Sequence, residues 1–189
     1  MTAETLTTVV TFLEMLEPPK RAFLPPPPKL KLALLRAEAP TIAFSRFLYD
    51  TTGRPWWWYE RKEWSDERLR ALVQHERYDT YVLYLAGTPA GYFELDRIDP
   101  SVVELAYFGI MPEFIGQRLG PYLLDQAIQL AWAGPPAPRR VWVNTCDLDH
   151  PRALPLYQRA GFAPYDRKVK EFEDPRPKGL VDPGPIPNR

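Results

Sequence analysis

From Val102 to Ile110 the chain is apolar or aromatic at every position except Glu104. Such a run predicts a strand covered on both faces and stopped by Pro112. Gly116 and Gly120 then free a loop, Pro121 suits a first helical turn, and Leu119, Leu123, Ala127, Leu130 and Ala131 recur at helical spacing up to Trp132. Upstream, the β-branched and aromatic residues of Thr7–Met15 read as a first strand. Pro25–Pro28 stiffens the link to a second strand at Leu30–Leu35. Thr41–Tyr49 reads as a short helix ending near Gly53, and Ser65 as the cap of another that carries Leu69, Leu72 and Val73 on one face. Thr80–Ala86 and Ala90–Leu95 flank a tight connection and complete an antiparallel meander with Val102–Ile110.

Beyond the linker Gly134–Pro138, Arg140–Thr145 reads as a strand. A short helix should follow, capped by Asp149 or His150, opened by Pro151, interrupted by Pro155 and closed by Gly161. Phe162–Phe172 offers a last strand, and from Asp174 onward a proline-rich, weakly apolar stretch predicts a mobile tail. This order predicts an α/β (α+β) fold, a mixed and largely antiparallel central sheet flanked by helices, as one domain over 1–173 with a tail over 174–189.

Composition narrows the function. The 189 residues are 45% hydrophobic and 13% aromatic, enough for a sizeable core. Lys plus Arg equals Asp plus Glu at 24 each, and no basic stripe stands out, so nucleic acid is not an expected partner. The single cysteine, Cys146, excludes an internal disulfide, and His75 with His150 makes no metal pattern. With no long apolar run, neither membrane spanning nor secretion is expected, and the reading is a cytoplasmic protein, monomeric or homodimeric.

Three stretches carry chemistry. The loop before Leu119 aims helix-start amides at one spot beside Arg118, which makes a phosphate site. Trp56, Trp57, Trp58, Tyr59 and Trp64 gather most of the six tryptophans, with Glu60 and Glu63 among them. Aromatic faces there would hold an amine or a ring, or else pack a helix on the sheet. Glu104, a lone carboxylate in an apolar strand, should have a raised pKa suited to a base, with Glu94 as its rival and a structural carboxylate as the plainer alternative. Of the histidines, His75 suits a surface role, and Cys146 suits a small buried residue.

Two segments resemble one family. IGQRLG, after a strand and before a helix, is similar to the [Q/R]-x-x-G-x-[G/A] loop of the GNAT superfamily of N-acyltransferases, with Ile115 in place of Arg or Gln and Arg118 in place of the first Gly. DHPRALPLYQRAGF is similar to that family's N-x-x-A-x-x-L-Y-x-x-x-G-F segment, with Ala153, Leu156, Tyr157, Gly161 and Phe162 in place and His150 where Asn is usual. The resemblance covers about Thr80–Phe172. It implies a core at 80–173 that binds acetyl-CoA through Ile115, Gly116, Gln117, Arg118, Leu119, Gly120, Pro121, His150 and Ala153, with backbone amides at Gly109, Ile110 or Met111 on the thioester and pantetheine arm. It implies Tyr157 as the acid for the thiolate and Glu104 as the base. The acceptor, a small amine or a peptide, would be held by Trp56, Trp57, Trp58 and Tyr59 within the N-terminal part, 1–79. The implied activity is transfer of an acetyl group to a primary amine by direct attack, without metal. The alternative is a non-catalytic acyl-CoA-binding module of the same fold.

Overall fold

The computed structural model describes residues 4–133 and 137–188. Seven strands form one sheet: β1 Thr5–Met15, β2 Leu32–Ala37, β3 Tyr78–Leu85, β4 Thr88–Asp96, β5 Val102–Ile110, β6 Arg140–Cys146 and β7 Ala163–Glu173. Four α-helices join them: α1 Ile42–Gly53, α2 Asp66–Val73, α3 Leu119–Trp132 and α4 Ala153–Ala160. The strand order is β2-β3-β4-β5-β6-β1-β7. Every neighbouring pair is antiparallel except β5 with β6. The mixed sheet expected from the hydrophobic pattern is therefore present.

Alternation along the strands divides the core. Leu83, Phe93 and Leu95 pack with Leu119, Leu123, Ala127 and Ile128 of α3, whereas Val82 and Tyr92 pack with Leu48 of α1 on the opposite face. Local signals set the helix ends. Thr41 Oγ1 accepts from the Phe44 amide to start α1, and Ser65 Oγ accepts from the Arg68 amide to start α2. The last carbonyls of α3 are met by Arg97, which donates to Leu130 and Ala131 and is held in turn by Asp79.

The site is positioned by a break in pairing. β5 and β6 share only the partners Val102–Glu104 and Arg140–Trp142. Beyond Glu104, β5 stays with β4 while β6 follows β1, so a wedge opens toward the carboxyl ends of both strands. The end of α1 closes tightly over β5. A Cβ on Gly109 would lie 2.3 Å from Thr52 Cγ2, and one on Gly53 would lie 2.4 Å from the Trp58 ring.

Three expectations change. Neither Asp149 nor His150 caps α4: Arg152 occupies that position without a side-chain bond, and Asp149 turns back to accept from Thr145 Oγ1 and the Cys146 amide. Pro155 does not break α4, because it falls in the first turn, where amides have no helical acceptor. The segment after Asp174 is anchored rather than mobile. Arg54 grips Asp182 at 2.6 and 2.9 Å, Val181 is buried with Leu6 and Trp57, and Asn188 Nδ2 donates to the Asp147 and Asp149 carbonyls. The expected linker at 134–138 lies partly outside the described residues.

Gly109→Ala should destabilise the protein by about 1–3 kcal/mol through this overlap. Adding Thr52→Ser, which removes the opposing methyl, should recover part of the loss in thermal denaturation. An unchanged melting temperature for Gly109→Ala would show that α1 gives way without cost.

Candidate active site

Two cavities lie along the wedge. The first, of about 290 Å³, is bounded by the end of β5, the loop before α3, and α4. Gly116 and Arg118 both take left-handed backbone angles there, φ 92° and 62°. This brings the free first-turn amides of α3 to the wall beside Gly120 and Pro121. Arg118, Arg152 and Arg159 line the same cavity, and none has an ion-pair partner among the described residues. Ile115, Leu119, His150 and Ala153, also predicted from the loop and α4, line it too.

Two predicted cofactor residues stand apart. Gln117 does not line the cavity, and its side chain donates to the Glu113 carbonyl. Met111 is buried beside Leu48 and Tyr92, and its amide donates to Ala90 in the sheet. That bond also fixes the parity of β5. Hydrogen-bonded pairs alternate along an antiparallel ladder, so Gly109 turns its amide to β4, while Ile110 and Phe108 turn theirs into the wedge. Of the three amides expected at the thioester, only that of Ile110 faces the wedge, where the amide of Phe108 joins it.

The second cavity, of about 490 Å³, is walled by Trp56, Trp57, Trp58 and Tyr59 and contains Glu104. The aromatic run is split in its duties. Trp57 is buried with Leu6 and Val181 beneath Arg176, whose guanidinium sits 5.3 Å from the ring centre. Tyr59 stacks on Phe172 at 6.2 Å. Trp56 meets His150 edge-on at 5.0 Å. Trp58 donates from its indole N–H to Asp149 at 3.2 Å. Trp56, Trp58, Phe108, Asp149 and Tyr157 line both cavities, so the two spaces meet at these side chains.

The model of the Acetyltransferase (GNAT) family matches residues 47–162, more than half of the chain. The chain belongs to the GNAT family. Solved GNAT structures share the fold. A GCN5-related N-acetyltransferase from Kribbella flavida aligns at TM-score 0.59 and 17% identity, over 90% of this chain and 60% of that one. Another from Sphaerobacter thermophilus aligns at 0.63 and 15%, over 88% and 52%. A tandem GNAT protein from the clavulanic acid biosynthesis pathway aligns at 0.57 and 18%, over 88% and 53%. This GNAT chain therefore spans little more than half the length of these neighbours. No curated protein sequence matches it.

Electrostatics separate the GNAT chain's candidate residues. Burial first, and then the Asp149 carboxylate, push the Tyr157 hydroxyl well above the ordinary phenol range. Among the described residues that hydroxyl has no hydrogen-bond partner, while its ring meets Phe108 and Phe162 edge-on at 6.0 and 6.1 Å. Tyr157 is thus a protonated phenol at the junction of the cavities. Glu104 is pushed up to about 7, first by burial and then by Asp96, its partner across the ladder, with Arg61 opposing. Its rival Glu94 is fully buried and committed: Oε2 accepts from Arg61 Nη1 at 2.7 Å and from the Tyr78 hydroxyl at 2.6 Å. His75 Nδ1 accepts from the Arg77 amide, away from both cavities. His150 is lowered by burial and by Arg152, which leaves its ring neutral. Burial and then Asp149 push the Cys146 thiol up to about 11, so it is no nucleophile.

Sequence reasoning missed Arg61, Asp149, Arg152 and Arg159. Arg61 is 5% exposed and lies 4.1 Å from the Tyr107 ring centre. Burial alone would lower its pKa, but Glu94 and the surrounding tyrosines outweigh that and raise it. The signal was a cation set inside the aromatic run, between Tyr59 and Trp64. Asp149 joins a local turn, through Thr145 and Cys146, to the distant Trp58 indole, and the sequence does not show the second partner.

Glu104 holds its proton more tightly folded than unfolded, so its presence costs stability as pH rises from the ordinary 4.5 to about 7. Glu104→Gln should therefore stabilise the protein at pH 8, by on the order of 2 kcal/mol, and make little difference below pH 4.5. Denaturant titrations at both pH values read this directly. A gap that fails to grow with pH would mean that Glu104 ionises as freely as in water.

Proposed function

We propose that this protein is an acetyl-CoA-dependent N-acetyltransferase that acts on a primary amine by direct attack, in a cytoplasmic setting that suits its one free thiol. The carrying observation is that a cationic cavity and a carboxylate-bearing aromatic cavity meet at Tyr157. The first cavity's residues fit acetyl-CoA. Arg118, Arg152 and Arg159 and the first-turn amides of α3 suit its phosphates. The outward amides of Phe108 and Ile110 suit its carbonyl groups. Thr52 Oγ1, buried without a partner and belonging to a residue of the same wall, is another polar atom that a polar ligand arm would satisfy.

Acetyl-CoA supplies an activated acetyl group as a thioester. The amines it would meet are protonated at neutral pH, so a base is required. Glu104, with its pKa near neutrality, is suited to take that proton. Phe108 and Glu104 lie four positions apart on β5, about 13 Å of extended strand, so the proton passes to Glu104 through water rather than directly. The Phe108 and Ile110 amides, which face the wedge, would suit an acyl oxygen on which negative charge grows. Tyr157, kept protonated, delivers a proton to the departing sulfur. Asp149 positions the shared wall by holding the Trp58 indole.

Acetyl-CoA at about a hundredfold its Kd should stabilise the protein by about 2.7 kcal/mol, with ATP as the control. Tyr157→Phe should lower kcat roughly a hundredfold while leaving acetyl-CoA binding nearly intact. Normal turnover in that variant would remove Tyr157 from the chemistry. Arg118→Gly has a two-sided signature. Relief of the left-handed angle should raise the stability of the free protein by up to about 1 kcal/mol, while loss of the charge weakens acetyl-CoA binding. Unchanged affinity would place the cofactor phosphates away from Arg118.

A further inference from the structure

The second cavity carries a charge imbalance that selects among amines. Asp96 and Glu104 line it half-buried, and Glu60 and Glu171 line its exposed rim; none of the four has an ion-pair partner among the described residues. Two cations also line it. Arg61 is spent on Glu94 and Tyr78, and Lys170 is an exposed side chain whose Nζ lies 5.9 Å from the Phe12 ring centre. No buried cation is left for a carboxylate on the acceptor. The walls, by contrast, are aromatic on several sides: Trp56, Trp58 and Tyr59 from the loop after α1, Tyr107 from β5 and Phe172 from β7.

We propose that the acceptor is an arylalkylamine, an aromatic ring on a short chain ending in a primary ammonium and lacking a carboxylate. The inference rests on the acetyl-transfer reading and narrows its substrate. The ring finds flat apolar partners, and the ammonium finds carboxylates and π-faces that both favour a cation. The matching amino acid adds a negative charge, which meets uncompensated carboxylates and loses its hydration with nothing in return. In the reaction the amine nitrogen forms a bond to the acyl carbon as the carbon–sulfur bond breaks. The ammonium gives up one proton by way of Glu104 to solvent; a second leaves the nitrogen as the amide forms and is matched by the one that reaches the thiolate, so the products are the amide, free coenzyme A and one released proton.

The test separates acceptor from cofactor. The tryptophans of the cavity wall allow phenethylamine binding to be followed by quenching of their fluorescence without acetyl-CoA. Phenylalanine, butylamine and a lysine-bearing peptide serve as comparisons. Phenethylamine should saturate the signal with at least roughly tenfold higher affinity than phenylalanine or butylamine, a difference of about 1.4 kcal/mol. Its acetylation should outrun that of the peptide. Placing a cation at the exposed rim, Glu60→Lys, should narrow the gap between phenylalanine and phenethylamine. Equal binding of phenylalanine, equal binding of butylamine, or preference for the peptide would each overturn the proposal. If phenethylamine binds selectively while acetyl-CoA gives no stabilisation, the ligand class stands and the acetyl-transfer reading falls.

Discussion

The site depends on the separation of β5 from β6 after Glu104. Three paired positions hold the strands together, and beyond them each strand keeps its other neighbour. Strand pairing normally satisfies both edges of a central strand, so the parting leaves the wedge-facing amides of β5 without a protein acceptor. A fold can carry such an edge only where water or a ligand reaches it. The wedge is therefore both a gap in the sheet and a set of polar groups awaiting partners.

Around that gap the chain sorts charge by side. Three arginines and the positive end of α3 face the first cavity, and carboxylates face the second. The separation is kept by the buried Arg61–Glu94 pair. Its two members neutralise each other within a ring of tyrosines and add little net field to the second cavity. Replacing either alone would strand a charge in the core. Asp149 does comparable work at the junction, where one carboxylate binds β6 and the indole of Trp58.

Much of the fold was legible because local signals agreed. Val102–Ile110 followed from an unbroken apolar run, the helices at Thr41–Tyr49 and from Leu119 from the spacing of apolar residues, and Ser65 was read as a helix cap from residue type. Tyr157, Glu104 and Gly116, picked out from their own segments, do line the two cavities. The site was not legible where a role is assigned by distant partners. Asp149 looked like a helix cap because nothing near it in sequence shows that the Trp58 indole reaches it, or that it turns back to Thr145 rather than forward to α4. Met111 looked like part of the cofactor wall because strand parity depends on the register with β4. The segment after Asp174 looked loose on composition, since its anchors, Arg54 and Trp57, lie far earlier in the chain.

The strand order has a consequence for how the chain is made. β1 opens the sequence, yet it sits between β6 and β7, the last two strands. β1 therefore has no neighbour in this sheet until β6 and β7 have been made. β6, one side of the wedge, likewise has no neighbour on its far edge until β1 docks. Assembly therefore ends with the longest-range pairing, a slow step that leaves β1 exposed to wrong partners. The meander of β3, β4 and β5 is joined by hairpin contacts close in sequence and can form first, as a template on which β6, β1 and β7 then assemble.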